Sequence, residues 1–232
     1  KGSEGISVFF GKGKKLDIPQ IDVNVYDVTG AGDTFIALLS YLLSNEIDLI
    51  NSIKISSFAC GRIVQKKHTA VLSFYEFQKI IEEFCENESI QLSLRIRLWK
   101  LVKLKIGVTN GCFDVLHSGH LHLLSEAKKN CDKLIVLLNS DKSIKMIKGK
   151  NRPILKLNQR IKMLRMIKDV DDVEIFEDKT PEKIISKILP NILFKGSDYK
   201  AKELAGYNTI KKNGGMVKII MKLKNFSSSK LI

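Results

Sequence analysis

The regular alternation of extended and helical segments from Leu101 to Ile232 constrains the fold of this chain more than any other feature. Alternation of this kind predicts an α/β architecture in which helices cover both faces of a parallel sheet. In such sheets, ligands bind at the carboxyl ends of the strands, near the point where the strand order switches. The predicted strands are Lys105–Thr109, Leu134–Asn139, Val173–Phe176, Ile192–Phe194 and Val217–Met221. The predicted helices are Gly119–Lys129, Asp141–Lys148, Asn158–Lys168, Pro181–Leu189 and Ala201–Asn213.

The most informative motif follows the first of these strands and reads TNGCFDVLHSGH, from Thr109 to His120. A Gly-containing turn follows the strand, and a helix begins near Gly119. The main-chain N–H groups at a helix start lack partners and point outward, so this site suits a phosphate. Gly111 and Gly119 carry no Cβ, so a phosphate chain can approach the backbone closely. The residues predicted to contact a nucleotide here are Gly111, Cys112, Phe113, Asp114 and Gly119.

Two histidines of this motif are the predicted catalytic residues. His117 lies just before the helix and His120 lies in its first turn. At a spacing of three, both imidazoles can face the same anion, and a polyphosphate favours their protonated form. Two such donors can stabilise the charge that develops as pyrophosphate leaves, and removing one comparable donor typically costs about 10²–10³ in rate. His122 lies outside the pattern and is predicted to be a partly exposed helix residue.

The pattern Gly-Cys-Phe-Asp-x-x-His-x-Gly-His resembles the signature of the cytidylyltransferase-like nucleotidyltransferase superfamily. More closely, residues 101–232 resemble the adenylyltransferase domain of bifunctional heptose 7-phosphate kinase/heptose 1-phosphate adenylyltransferases. The shared pieces are Asn139-Ser140-Asp141, Lys148-Gly149, Arg152-Pro153, Gln159-Arg160, Asp178-Lys-Thr-Pro181, Lys195-Gly-Ser-Asp-Tyr199, Ala205-Gly206 and Ser227-Ser-Ser229. The resemblance implies a Rossmann-like nucleotidyltransferase domain that uses ATP and Mg²⁺.

The reaction that this resemblance implies is an in-line attack by the oxygen of a heptose 1-phosphate on the α-phosphorus of ATP. It yields ADP-heptose, a precursor of the lipopolysaccharide core, and pyrophosphate. A phosphate nucleophile is already ionised near neutral pH, so catalysis requires positioning and charge stabilisation rather than a strong general base. No protein ligand to a metal is assigned, and Asp114 either orients the turn or helps to hold the metal.

Further cations and hydroxyls are candidate contacts to the nucleotide. Lys148 and Arg152 flank Gly149 in a loop and are predicted to clamp the triphosphate, and Arg160 on the following helix could reach the same charges. In so basic a chain, each is equally well interpreted as a solvated surface cation. Lys195, Gly196 and Asp198 lie at the end of a predicted strand and are predicted to contact the nucleotide, and Tyr199 beside them could stack on a ring. The alternative is that this segment is a simple strand-to-helix turn. The resemblance implies that Ser227, Ser228 and Ser229 contact the nucleotide phosphates.

The first block of the chain has a different pattern. Ile6–Phe10 and Lys14–Ile18 flank two glycines and predict a hairpin. A third extended piece is predicted at Val23–Tyr26, and Leu92–Lys100 is interpreted as an interdomain connection whose helical or extended state the sequence leaves open. The predicted organisation is a first domain at 1–93, a linker at 94–101 and a nucleotidyltransferase domain at 102–232. The helices predicted in the first block are Thr34–Leu43, Leu49–Gln65 and Tyr75–Glu86.

The segment from Asp27 to Asp33, DVTGAGD, resembles the second signature of ribokinase-like sugar kinases. The resemblance implies that Gly30, Ala31 and Gly32 form an anion hole and that Asp33 accepts a proton from a sugar hydroxyl. The turn at 2–5 resembles the nucleotide-binding turn of the same fold. Kinases of this family need a long N-terminal part that the sequence does not contain. We therefore expect a C-terminal fragment of a ribokinase-like α/β domain without kinase activity, and poor stability of this block.

Composition limits the partners of the chain. The net charge is +14, but the lysines are spread along the whole chain and no basic, aromatic-interleaved stripe is present, so a small polyanion is favoured over nucleic acid. No apolar run has the roughly 18 residues that span a bilayer, and the cysteines show no pairing pattern, so a cytoplasmic enzyme with reduced thiols is predicted. A homodimer is one assembly that the sequence leaves open.

Two other functions compete with heptose 1-phosphate adenylylation. One is a cytidylyltransferase that acts on an alditol phosphate such as glycerol 3-phosphate. The other is a non-catalytic remnant or a basic nucleic-acid-binding protein. The kinase-like first block disfavours the former, because kinase and adenylyltransferase are fused in the family that the chain resembles. The intact histidine pattern disfavours the latter.

Overall fold

A computed structural model describes residues 5–19, 24–66 and 71–221 of the chain. Contacts between Cα atoms divide the chain into two units, Lys1–Val102 and Lys103–Ile232. Within the described residues, no helix is long and apolar enough to cross a membrane. The predictions at Gly2–Glu4, Val23 and Ser227–Ser229 lie outside the described residues.

The described part of the first unit contains a β-hairpin and four helices. Strands β1 (Ile6–Phe9) and β2 (Lys15–Ile18) pair antiparallel, with Ile6 opposite Ile18, so the predicted hairpin is confirmed. Helix α2 begins after Asp48, whose side chain accepts from the Asn51 N–H, and α3 begins with a capping box between Ser73 and Glu76. The helices are α1 (Ala31–Ser44), α2 (Leu49–Ile63), α3 (Phe74–Asn87) and α4 (Leu92–Leu101).

Helix α4 occupies the stretch that was predicted to connect the domains. Its residues Ile96, Leu98 and Trp99 are buried, and Arg97 donates from Nη2 to the main-chain oxygen of Asn45 at 3.3 Å. The predicted linker 94–101 therefore forms part of a packed helix of the first unit, because apolar side chains at helical spacing are better buried than exposed.

The extended segment predicted at Val23–Tyr26 does not form a strand in its described part. Residues 24–26 have no regular structure. The Tyr26 N–H donates to the main-chain oxygen of Val64 at 2.8 Å, so the backbone is bonded near the carboxyl end of α2 instead of to a strand.

The second unit is built on a five-stranded parallel sheet with the order β5-β4-β3-β6-β7. Strand β3 pairs with β4 on one side and β6 on the other, so the strand order switches between β3 and β6. All five predicted strands are confirmed, and so is the predicted Rossmann-like class. The strands are β3 (Ile106–Gly111), β4 (Lys133–Asn139), β5 (Asp172–Phe176), β6 (Ile192–Gly196) and β7 (Met216–Ile220). The helices are α5 (Ser118–Lys128), α6 (Asp141–Lys148), α7 (Leu157–Arg165), α8 (Glu182–Ile188) and α9 (Tyr207–Lys212).

Strand β4, which lies beside the central strand β3, is buried along its whole length, as its run of Leu, Ile and Val predicts for a strand covered on both faces. Leu134 and Leu138 belong to one core cluster with Leu124 of α5 and Leu164 of α7. Each fully buried leucine contributes about 2 kcal/mol relative to an exposed one. The same cluster contains Leu138 and Phe194, near the carboxyl ends of β4 and β6, and Phe113 in the turn after β3.

One predicted helix, Ala201–Asn213, is wrong as a single element. The structure has a short 3-10 helix at Ala201–Glu203, and α9 begins only at Tyr207. Gly206 between them adopts a φ of 88°, and a Cβ there would lie 2.8 Å from the Ile185 side chain. Both the left-handed backbone and the close approach require glycine, and they interrupt the helix.

Candidate active site

A cleft of about 570 Å³ opens at the carboxyl edge of the sheet in the second unit. Its walls come from the turn after β3, the start of α5, the ends of β6 and β7, and the segments that follow β4 and β5. This is the edge at which the strand order predicts a ligand. The predicted site residues that line the cleft are Gly111, Cys112, Phe113, Asp114, His117, Gly119, His120, Lys148, Lys195, Gly196 and Asp198.

The two motif histidines lie side by side in this cleft. Helix α5 begins at Ser118, and His117 is its N-cap, because its Nδ1 accepts from the Gly119 N–H at 3.1 Å. The ring centroids of His117 and His120 are 3.9 Å apart and the ring planes differ by 32°. The ring of buried Phe113 lies 5.0 Å from that of His120 and supports it from the turn. The structure therefore brings both imidazoles to one anion site.

The N-cap bond determines which nitrogen of His117 can donate. Since Nδ1 accepts a hydrogen bond from the backbone, the ring proton resides on Nε2. His117 thus offers Nε2 as its N–H donor toward an anion in the cleft. The expectation that a polyphosphate favours the protonated form of both imidazoles stays a prediction.

Lys195 lies at the carboxyl end of β6 with 8% of its surface exposed. Its Nζ donates to the main-chain oxygen of Asn110 at 2.6 Å and to Asn110 Oδ1 at 2.9 Å, and it lies 4.8 Å from the centroid of the Tyr199 ring. Burial lowers the pKa of Lys195 to about 8. Burial also raises the pKa of the neighbouring Cys112 thiol, against the opposing effect of the positive charges on Lys148, Arg160 and Lys195.

Asp114 orients the loop between α6 and α7. Its Oδ2 accepts from Arg152 Nη1 at 2.7 Å, and its Oδ1 accepts from the N–H groups of Ile154 and Leu155 at 2.7 and 3.1 Å. The carboxylate is only 4% exposed. Arg152 lies outside the cleft wall and is paired with Asp114. The ion pair directs Nη1 of Arg152 to Asp114, and the clamp on the triphosphate stays a prediction.

Arg160 is fully buried within the second unit and does not line the cleft. Its Nε donates to the main-chain oxygen of Leu155 at 3.0 Å, and its Nη1 donates to those of Cys112 and Asn139, both at 2.8 Å. Its Nη2 donates to Asp141 Oδ1 at 2.7 Å. The prediction that Arg160 reaches the triphosphate is corrected, because its donors are directed to three loops of the protein.

Several cleft residues were not assigned from the sequence. Asn110 precedes Gly111 at the carboxyl end of β3, the edge of the sheet where ligands bind. That position is the sequence feature from which Asn110 could have been predicted to line the site. Lys179 and Thr180 follow β5 in the same way. His122 also lines the cleft, and its Nε2 lies 3.1 Å from the main-chain oxygen of Met221. Only the packing of α5 beside the end of β7 explains that contact, so no local pattern could have predicted it.

The kinase-like residues lie in the first unit. Gly30 adopts a φ of 79° directly before α1, and Ala31 and Gly32 begin the helix. Asp33 is exposed in its first turn. The Thr29 N–H donates to Asp27 Oδ1 at 2.8 Å, which fixes the preceding turn. The local form of a turn that leads into a helix N-terminus agrees with the predicted anion hole, whose role stays a prediction.

Comparison with known proteins agrees with this two-part architecture. The cytidylyltransferase-like family matches residues 108–232, and the pfkB family of carbohydrate kinases matches residues 1–74. The bifunctional protein HldE of Nitrobacter winogradskyi is 37% identical over 240 residues, which cover 100% of this chain and 49% of that protein. The bifunctional protein HldE of Coxiella burnetii is 35% identical over 237 residues, which cover 100% of this chain and 50% of that protein. The chain thus spans about half the length of the curated relatives that it matches.

Among solved structures, the lipopolysaccharide core biosynthesis protein from Thermoplasma volcanium is 32% identical, covers 53% of this chain and 99% of that chain, and has a TM-score of 0.44. The family match of the second unit contains the whole histidine motif, the switch point and the cleft. The resemblance inferred from the motif is confirmed, and the chain belongs to the cytidylyltransferase-like family.

Proposed function

We propose that the second unit transfers AMP from ATP to D-glycero-β-D-manno-heptose 1-phosphate, giving ADP-heptose and pyrophosphate for the lipopolysaccharide core. The observation that carries this proposal is the 3.9 Å pairing of the His117 and His120 rings at the N-terminus of α5. Such a pair beside a helix start suits a leaving diphosphate. The neighbouring kinase-like unit supports a sugar phosphate as the acceptor.

The chemistry requires few groups from the protein. An oxygen of the sugar 1-phosphate attacks the α-phosphorus of ATP, and the bond from that phosphorus to the bridging oxygen of the β-phosphate breaks. Pyrophosphate leaves with the electron pair. His117, through Nε2, and His120 stabilise the charge on the leaving oxygens, while Lys148 and Lys195 add positive charge to the cleft.

The arrangement of carboxylates bears on the role of Mg²⁺. Among residues 5–19, 24–66 and 71–221, no group of three or more His, Cys, Asp or Glu side chains could hold a metal ion. Both oxygens of Asp114 already accept hydrogen bonds. Mg²⁺ in nucleotide sites is commonly held through the phosphates and a few waters, so we propose that it enters on the triphosphate. Once bound, it neutralises phosphate charge.

Pyrophosphate release by the full 232-residue chain tests the proposed reaction. We expect release from ATP with heptose 1-phosphate, and little from CTP with glycerol 3-phosphate. The reverse preference would replace the proposal with a cytidylyltransferase, and no release from either pair by folded protein would contradict nucleotidyl transfer. H120A is expected to lower the rate about 10²–10³-fold. Lys187→Ala, on the exposed surface of α8, serves as a matched control.

For the first unit, we propose that Gly30, Ala31 and Gly32 bind a phosphate and that Asp33 faces a sugar hydroxyl. The geometry at the start of α1 supports this assignment. The prediction that the chain as given lacks kinase activity is tested by coupled detection of ADP with ATP and heptose 7-phosphate. Robust turnover would contradict it.

We also propose a domain boundary near Val102, a cytoplasmic location and small-molecule partners without nucleic acid. The division of contacts after Val102 supports the first of these. A homodimer stays an open prediction that sedimentation analysis would test.

A further inference from the structure

The buried ammonium of Lys195 has an unusual set of partners. Among the residues that the structure describes, its polar contacts are the two oxygens of Asn110 and the ring of Tyr199, all of them neutral. A buried charge is costly unless it is paired with an opposite charge. These contacts of Lys195 therefore include no negative charge, and an anion in the cleft would supply one.

The location of this ammonium indicates which anion is involved. Lys195 ends β6 and Asn110 lies near the end of β3, and these two strands flank the point where the strand order switches. Asn110 directly precedes the turn that leads to His117 and His120. Both Lys195 and the histidines line the same cleft. A substrate whose pyrophosphate lies at the histidines would thus place another part of its phosphate chain within this cleft.

We propose that Lys195 contacts the phosphoryl group in transfer and that Asn110 is a positioning residue that holds Lys195 there through both of its oxygens. This inference rests on the proposed nucleotidyl transfer. With two of its three N–H bonds directed to Asn110, the ammonium has a defined orientation and one further donor. Preorganised charge of this kind stabilises a transition state without reorganisation at the moment of reaction.

The charge on Lys195 is expected to depend on pH in the range of enzyme assays. Burial lowers the pKa of this lysine to about 8, so kcat/KM, which reports the free enzyme, should fall as pH rises through that value. Because the proposed contact acts mainly on the phosphoryl group in transfer, KM should change little with this protonation, and the decrease in kcat should lie close to the same pH. The other titratable groups that line the cleft with Lys195 are Cys112, Asp114, His117, His120, His122, Lys148, Lys179, Asp198, Tyr199 and Glu203.

Steady-state pyrophosphate release by four variants of the full chain tests the inference. K195M removes the charge, K195R keeps a charge that does not titrate in this range, and N110L removes the side-chain acceptor. K187M changes an exposed lysine of the same unit and is the matched control. Thermal unfolding of each variant verifies that it is folded.

We expect K195M to lower kcat about 10²–10³-fold, with KM for ATP changed less than about threefold. We expect K195R to retain more activity and to lose the decrease in kcat/KM near pH 8. N110L should lower kcat less than K195M does and leave KM nearly unchanged.

Three results would overturn the inference. The first is that K195M has the same kcat and KM as K187M. The second is that K195M changes KM but not kcat. The third is that K195R shows the same pH dependence of kcat/KM as wild type. Absence of turnover in the wild-type chain would instead contradict the proposed function. The two failures are therefore distinguishable.

Discussion

Arg160 donates from Nη1 to the main-chain oxygen of Cys112 at 2.8 Å, and so supports the histidine motif through a side chain that is fully buried. The same nitrogen donates to the main-chain oxygen of Asn139, and Nη2 donates to Asp141. One guanidinium thereby connects the loops that follow β3 and β4. This contact and the buried ring of Phe113 together hold the turn that follows Gly111.

Removal of the Arg160 guanidinium is expected to impair both stability and activity. R160M should lower the free energy of unfolding by about 3–5 kcal/mol, because it leaves buried carbonyls and Asp141 without their donor. R160K should lower kcat/KM on the order of 10²-fold, because one ammonium cannot reach three loops and the motif shifts. Urea unfolding and pyrophosphate release measure the two effects. R165K, on the exposed part of the same helix, should behave as wild type in both.

Two substitutions at His117 separate its structural role from its proposed catalytic role. H117A should lose about 1 kcal/mol of stability with the N-cap, and its rate should fall about 10²–10³-fold. H117N keeps an oxygen that can accept from the Gly119 N–H but has no donor at the Nε2 position. We therefore expect H117N to be as stable as wild type but to lose as much rate as H117A. If H117N kept the wild-type rate, the N-cap hydrogen bond would account for the contribution of His117, and its role as a donor to the phosphates would be contradicted.

Asp114→Asn tests whether this carboxylate holds the loop or a metal. An amide places an N–H where the carboxylate now accepts from Arg152 or from the backbone, so D114N should be less stable by about 2–4 kcal/mol. The Mg²⁺ concentration for half-maximal activity should stay as in wild type. A large increase in that concentration would assign Asp114 to the metal.

Lys195 should also make stability depend on pH. Its pKa is about 8 in the folded protein, against an ordinary value of 10.5. Between these values the unfolded chain binds a proton that the folded protein has released, so the free energy of unfolding should rise with pH. Below about pH 8 the full penalty for burying the ammonium is present. Relative to K195M, wild type should gain roughly 3 kcal/mol across this interval.

Urea unfolding of wild type and K195M at several pH values measures that gain. Taking the difference removes the contribution of other titrating groups. Parallel pH profiles for the two proteins would show that Lys195 keeps its ordinary pKa in the folded state.

The strands, most helices and the turn with the histidine motif in the second unit could be predicted because their signals are local. Runs of Val, Ile and Leu such as β4 predict buried strands, and Gly111 and Gly119 mark a turn and a helix start within a few residues. The break at Gly206 escaped prediction. Glycine tolerates a helix as well as a left-handed turn, and the close approach of Ile185, which excludes a Cβ at this position, comes from a part of the chain about twenty residues away.

By itself, the sequence determined the parallel α/β architecture of the second unit, the family and the pairing of His117 with His120, since all three depend on residues close together in the chain. The tertiary structure alone decided which groups of the protein the predicted cations contact. Lys195 meets Asn110 across 85 residues, Arg152 is paired with Asp114, and Arg160 is buried. Whether a cation is available to a ligand or bonded to the protein depends on which oxygens the packed strands and loops bring within hydrogen-bonding distance of it. Residue spacing does not encode those distances.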